Sequence, residues 1–230
     1  MVVSQYGKFI SFLLSFWPLL VMSEEELVRI AIGNIFRGQD QTASYGIQIE
    51  RDLKAIYSGA GLKAEFTYLP NERAIQSVIN GEYDALDMRF DALDKEKGLM
   101  KVNVPLVTIN LYLYSTDGSF YNSLDELKDK TVVSFHGNRF TDLLKSKKHL
   151  YLIHTPNQAA LMLSKGRASV LFAPEISYLF LKEQFPQIKV ASPIVAQGSL
   201  YHYIGASKRH LLERLEESSK NYVHSQKLQD

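Results

Sequence analysis

The stretch "NERAIQSVINGEYDAL", residues 71–86, decides the fold together with its continuation "DMRF" to Phe90. Ala74, Ile75, Val78 and Ile79 recur at helical spacing and make one apolar face. Gly81 stands where a helix closes on a left-handed residue, and Ala85–Met88 then begins a strand. A second stretch, "PNQAALMLSKGRASVL", repeats helix, glycine and strand when Gly166 is laid on Gly81. Two units of one design predict two α/β lobes with a cleft between them.

The flanking sequence extends this pattern. "LVRIAIG" (Leu27–Gly33) reads as a strand closed by glycine, and Ile49–Ser58 as a helix with Ile49, Leu53 and Ile56 on one face. "AEFTYL" alternates as a strand. Val104–Thr116 is long and alternating enough to cross between lobes. Ser123 and Glu126 are spaced as a capping box ahead of a strand at Thr131–Phe135. Arg139–Lys145 looks helical, "HLYLIHT" is a strand, "ASVLFA" another, and Ile176–Phe185 a helix. "SLYHYIGAS" returns as a strand, and Lys208–Tyr222 closes the chain as an amphipathic helix. Ligands bind at the carboxyl ends of strands in such sheets, so the cleft is expected just after Ile32, Leu69, Met88, Phe135, Ile153 and Phe172.

Composition removes several classes of function. The 26 basic residues nearly balance the 25 acidic ones, without the basic excess of a nucleic-acid binder. Lys8 precedes an apolar run from Phe9 to Met22, and Val21 and Ser23 are small residues suited to cleavage after Ser23. The run is shorter than the ~20 residues that a spanning helix needs, so residues 1–23 are expected to be a cleavable signal peptide, with an uncleaved membrane anchor as the alternative. The sequence contains no cysteine, hence no disulfide and no lipid-anchored cysteine. A soluble periplasmic protein is the expectation. Neither a phosphate-binding loop nor a catalytic serine or zinc-protease motif is present, and the six histidines are not spaced as metal ligands.

"NGEYDAL", "SLDELKDKTVVSFHGN" and "GIQIERDLKAI" together resemble the bacterial extracellular solute-binding proteins of family 3, the type II periplasmic binding proteins typified by amino-acid receptors of ABC importers. The resemblance covers Val28 to about Tyr222. It implies a two-lobed type II fold with a hinge and an interlobe cleft, a small-molecule ligand, no cofactor, a monomer and an inner-membrane permease as partner. Residues 24–108 would form the first lobe, completed by 205–230, and 109–204 the second, with hinge crossovers near 107–114 and 200–204. The chain departs from the pattern where the family carries the arginine that grips a substrate carboxylate, because Glu96 falls there. The aspartate that often holds the substrate amino group would fall at Pro174, beside Glu175.

Arg89, at a strand end, is therefore a relocated candidate for the carboxylate clamp, because a guanidinium can offer two parallel charge-assisted hydrogen bonds. A salt bridge to Asp87 or Asp91 is its structural alternative. Arg73 begins a helix, where a cation is unfavourable unless an anion, a ligand or Glu72, compensates. His136 and Asn138 flank Gly137 where a strand turns into a helix, a place suited to anions, with Asn138 also a candidate N-cap. Phe36, Tyr45 and Tyr112 are candidate aromatic walls, or core. The expected function is capture of a small anionic or zwitterionic solute, amino-acid-like or an organic acid. Two alternatives stand beside it. One is a dehydratase of small cyclic acids using Glu175 as general acid; the other is a sensory or partner-binding module without a transport role.

Overall fold

The computed structural model describes residues 25–33 and 40–228, and the side chains of all of these but 40–48 and 180. The signal-peptide expectation and Phe36 lie outside the described residues. In chain order the strands are β1 (Glu26–Gly33), β2 (Leu62–Leu69), β3 (Ala85–Phe90), β4 (Leu99–Lys101), β5 (Val107–Ser115), β6 (Val132–Phe135), β7 (Leu150–Ile153), β8 (Val170–Pro174), β9 (Lys189–Val190) and β10 (Ala196–Gly205). The helices are α1 (Asp40–Gly59), α2 (Asn71–Ile79), α3 (Pro156–Ser164), α4 (Glu175–Gln184) and α5 (Leu212–Lys227).

One hydrogen-bonded path runs β2-β1-β3-β10-β5-β8-β6-β7. Its two ends serve separate cores. At the first, β1 is flanked by parallel β2 and β3, and its alternating side chains face opposite ways. Ile30 packs with Leu53, Ile56 and Tyr57 of α1 and Leu215 of α5, whereas Ala31 packs with Ala74, Ile75 and Val78 of α2. At the second, Val133, Phe135 and Phe172 join Leu144, Leu163 and Leu181 in one cluster. Phe90 and Ile109 pack against both cores, which marks the junction where β5 and β10 pass.

The two repeated units have the same form. α2 and α3 each span nine residues, and each is followed by a glycine with positive φ, 79° at Gly81 and 63° at Gly166. Buried strands β3 and β8 follow.

Two capping expectations are corrected. Leu124–Leu127 is a 3-10 turn in which Ser123 makes no side-chain cap, and Glu126 accepts from the Asn122 amide rather than from that of Ser123. The reciprocal capping box forms at Thr155 and Gln158, where Pro156 starts α3 with no N–H to satisfy. Asn138 likewise caps nothing. Arg139–Leu144 is 3-10 rather than α-helical, and a 3-10 turn Ala206–Leu211 precedes α5.

Candidate functional site

β3 builds the site. Leu86 faces Tyr203 and Met88 faces His202 on β10, so Asp87 is an extra residue with no partner across the ladder. Such a bulge twists a strand and re-aims its side chains. Asp87 and Arg89 are buried at 4% and 8% exposure, and Arg89 Nε donates to Asp87 Oδ1. Asp87 Oδ2 accepts from the Gly33 amide at 2.8 Å, which ties β1 to the pair. Burial holds the Asp87 carboxyl above its ordinary value, against the opposing pull of Arg89 and the Gly33 N–H. Asp91, the other candidate partner of Arg89, accepts instead from Lys101 at 2.7 Å.

This pairing engages only one side of the guanidinium. Arg89 Nη2 is buried without a hydrogen-bond partner, and so is Asn71 Oδ1. Both atoms crowd Gly33, where a Cβ would lie 2.0 Å from Asn71 Oδ1 and 2.6 Å from Arg89 Nη2. Asn71, Arg89 and Gly33 are among the residues that line a cavity of about 90 Å³ between the two cores, enough for several waters or a small solute. Ile32, Ile49, Ile75 and Leu93 line it from the first lobe, Phe140, Pro174 and Ile176 from the second, and Phe90 and Ile109 at the junction.

Contacts beside the cavity join residues 71, 72 and 96 to residues 137–139. Asn71 Nδ2 donates to Asn138 Oδ1 at 2.9 Å across the cleft, which is why Asn138 does not cap its own turn. Gly137, with φ of 74°, lies so close to α2 that a Cβ would stand 2.8 Å from Asn71 Cβ. Arg139 reaches Glu72 at 3.2 and 3.3 Å and Glu96 at 3.3 Å. Burial raises the Glu72 carboxyl, but the Arg139 hydrogen bonds outweigh this and hold it below the usual range. Glu96 thus meets a cation from the other side of the cavity.

A depressed carboxyl contributes stability that is complete above its unfolded value near 4.5 and is lost as pH falls through the lower folded value. Acid below pH 4.5 should therefore loosen these contacts. Arg139→Gln should do so at neutral pH, raising the radius of gyration of solute-free protein by small-angle X-ray scattering. An unchanged scattering profile would show that these ion pairs do not hold the lobes together.

The sequence-derived candidates disperse. Arg89 and Asn138 line the cavity. Arg73 is exposed on α2, and Glu72 beside it is committed to Arg139. His136 is exposed, its ring 5.1 Å from that of His154. Glu175 is exposed at the start of α4, between cavity residues Pro174 and Ile176. Tyr112 packs on the second core, 6.3 Å from the Tyr114 ring. Tyr45 belongs to α1, but its side chain is among those left undescribed. Asn71, Gly33, Phe90 and Arg139 were not singled out from sequence. The one signal for Asn71 was a polar residue in the first turn of an otherwise apolar-faced helix.

Among the described residues no cluster of three or more His, Asp or Glu is placed to hold a metal, and no helix is long and apolar enough to cross a membrane.

Neither a family model nor a curated protein matches the sequence. Solved structures do match. A histidine kinase sensor domain with similarity to periplasmic binding proteins superposes with a TM-score of 0.75 at 14% identity, covering 88% of this chain and 92% of that one. The arginine-, lysine-, histidine-binding protein ArtJ from Geobacillus stearothermophilus gives 0.71 at 16%, covering 88% and 91%. Arginine-bound ArgBP from T. maritima gives 0.71 at 13%, covering 85% and 95%. At these identities the likeness is one of architecture: the chain has the two-lobed α/β fold of the periplasmic binding proteins.

Proposed function

We propose that this protein is a periplasmic solute-binding protein that closes its two lobes on a small carboxylate-bearing solute and presents the closed form to a membrane permease. The observation that carries this is Arg89, which lines an interlobe cavity and keeps a buried Nη2 without a partner. A buried donor left unsatisfied costs about 1–3 kcal/mol, which a bound carboxylate would recover. Hinge motion at Val107–Tyr114 and Leu200–Ile204 would open the cleft, because β5 and β10 are the strands that pass from one core to the other. Residues 1–23 would direct export.

A thermal-shift screen against amino acids and organic acids tests the reading. A solute at 100 times its Kd adds about 2.7 kcal/mol of stability, which is readily visible. A flat response across both sets would overturn it and favour a sensory or partner-binding role. Gly33→Ala gives a local check by calorimetry. Its Cβ would displace both Asn71 Oδ1 and Arg89 Nη2, so affinity for any solute found should drop at least tenfold in a variant with a native circular dichroism spectrum. Unchanged affinity would move the site away from this wall.

A further inference from the structure

The parallel register of β6 and β7 makes a pair of histidines that spacing along the chain does not. We infer that His136 and His154 form a binding site for a divalent transition-metal ion of the zinc type, held by two imidazole nitrogens with its other positions left to water or an oxygen donor. This does not depend on the solute-binding reading above.

Phe135 and Ile153 are register partners, so His136 and His154 leave the carboxyl ends of the two strands side by side. Hydrogen bonds fix both backbones. The His136 amide donates to the Ile153 carbonyl at 2.8 Å, and the His154 amide donates at 2.9 Å to Oε1 of Gln158, the residue that completes the capping box of α3. Both rings are exposed, with centres 5.1 Å apart and planes inclined by 49°. Neither ring makes a hydrogen bond or an ion pair among the described residues, so both keep a nitrogen lone pair to offer.

The separation suits a tetrahedral ion. Imidazole nitrogen binds zinc at about 2.0–2.1 Å and the ring centre lies about 1.1 Å further along the same line, so two such ligands hold their ring centres about 5.2 Å apart. A square-planar ion would bring them to about 4.5 Å. Only rotation of the two side chains is then needed to aim a nitrogen from each at one point. Rings that merely pack together span about 4.5–7 Å, so binding rather than distance separates the two readings. The surrounding charge is balanced: Glu72 feels the charge of His136 and is paired with Arg139. Two imidazoles also set the selectivity, because they suit zinc and its neighbours and not magnesium or calcium, which take oxygen ligands.

Titration calorimetry of zinc chloride into untagged protein, in a buffer that does not coordinate metals, tests this. One zinc per chain should bind saturably below millimolar concentration, and magnesium chloride should give no such binding. His136→Ala and His154→Ala should each weaken zinc at least tenfold. His149→Ala, which removes another exposed histidine just before β7, should leave zinc affinity unchanged. All three positions are exposed, so each variant is expected to keep a native circular dichroism spectrum. Zinc affinity within twofold of the parent in either His136→Ala or His154→Ala would overturn the inference. So would an equal loss in His149→Ala, or no saturable zinc binding by the parent, which would leave the two rings in packing contact only.

Discussion

Arg89→Met is expected to destabilise the protein by about 3–5 kcal/mol, because it strips the buried Asp87 of its ion-pair partner. It should also remove measurable solute binding. These consequences have separate causes and can be separated. Asp87 Oδ1 loses the Arg89 Nε donor, while Oδ2 keeps the Gly33 amide at 2.8 Å. Adding Asp87→Asn removes the unpaired charge and keeps an acceptor for Gly33. The double variant should therefore recover most of the lost stability in urea denaturation. Solute binding should not return, because the donor at the cavity wall is still missing. Recovery of binding in the double variant would show that Arg89 serves only the fold, and affinity within twofold of the parent in Arg89→Met would reject the clamp.

The second large effect concerns a histidine outside the cavity. His202 on β10 is fully buried, and its Nε2 shares a hydrogen bond of 2.8 Å with the Tyr57 hydroxyl. Burial disfavours the imidazolium and lowers its pKa from 6.5 to about 4. Between those values the unfolded chain binds a proton that the folded chain does not, so stability falls with decreasing pH. The contribution is complete above pH 7 and lost progressively toward pH 4, about 2 kcal/mol of it by pH 5. Urea denaturation at pH 7.5 and pH 5 should show this loss in the parent, and His202→Gln should lack that share of it. An equal pH dependence in the two proteins would mean that His202 is not held neutral. Because β10 also carries the proposed hinge, acid that protonates His202 is expected to weaken the strand on which closure turns.

Alternation and glycine placement were enough to read most of the elements. "NERAIQSVINGEYDAL" folds as α2 and β3, and its echo folds as α3 and β8, because apolar spacing and a left-handed glycine act within one turn or strand. Capping was read less well. Ser123-x-x-Glu126 has the spacing of a box but sits on a four-residue 3-10 turn, while Thr155-x-x-Gln158 forms one. The difference lies in the helix behind each cap: nine residues started by proline hold the geometry, and a single turn does not.

The site was legible only in part. A cation in an otherwise apolar strand drew attention to Arg89, and a Gly-Asn turn drew it to Asn138. Nothing local distinguishes Asp87 as a bulged residue, since the bulge exists only where β3 meets β10. Nor does spacing join Asn71 to Asn138, or Arg139 to Glu72 and Glu96, pairs separated by 67, 67 and 43 positions.

Short-range patterning thus sufficed for two α/β units, the strand that carries Arg89 and the glycines that end the helices, since each depends on steric and apolar contacts between near neighbours. The docking of one lobe on the other settled everything that depends on distance. It engages Glu72 and Glu96 with Arg139, turns Asn138 from a cap into a partner for Asn71, and leaves Arg89 Nη2 and Asn71 Oδ1 without partners on residues that line the cavity. Hydrogen bonds and ion pairs act over a few ångströms, so only the packed chain chooses which polar groups satisfy one another and which stay available to a solute.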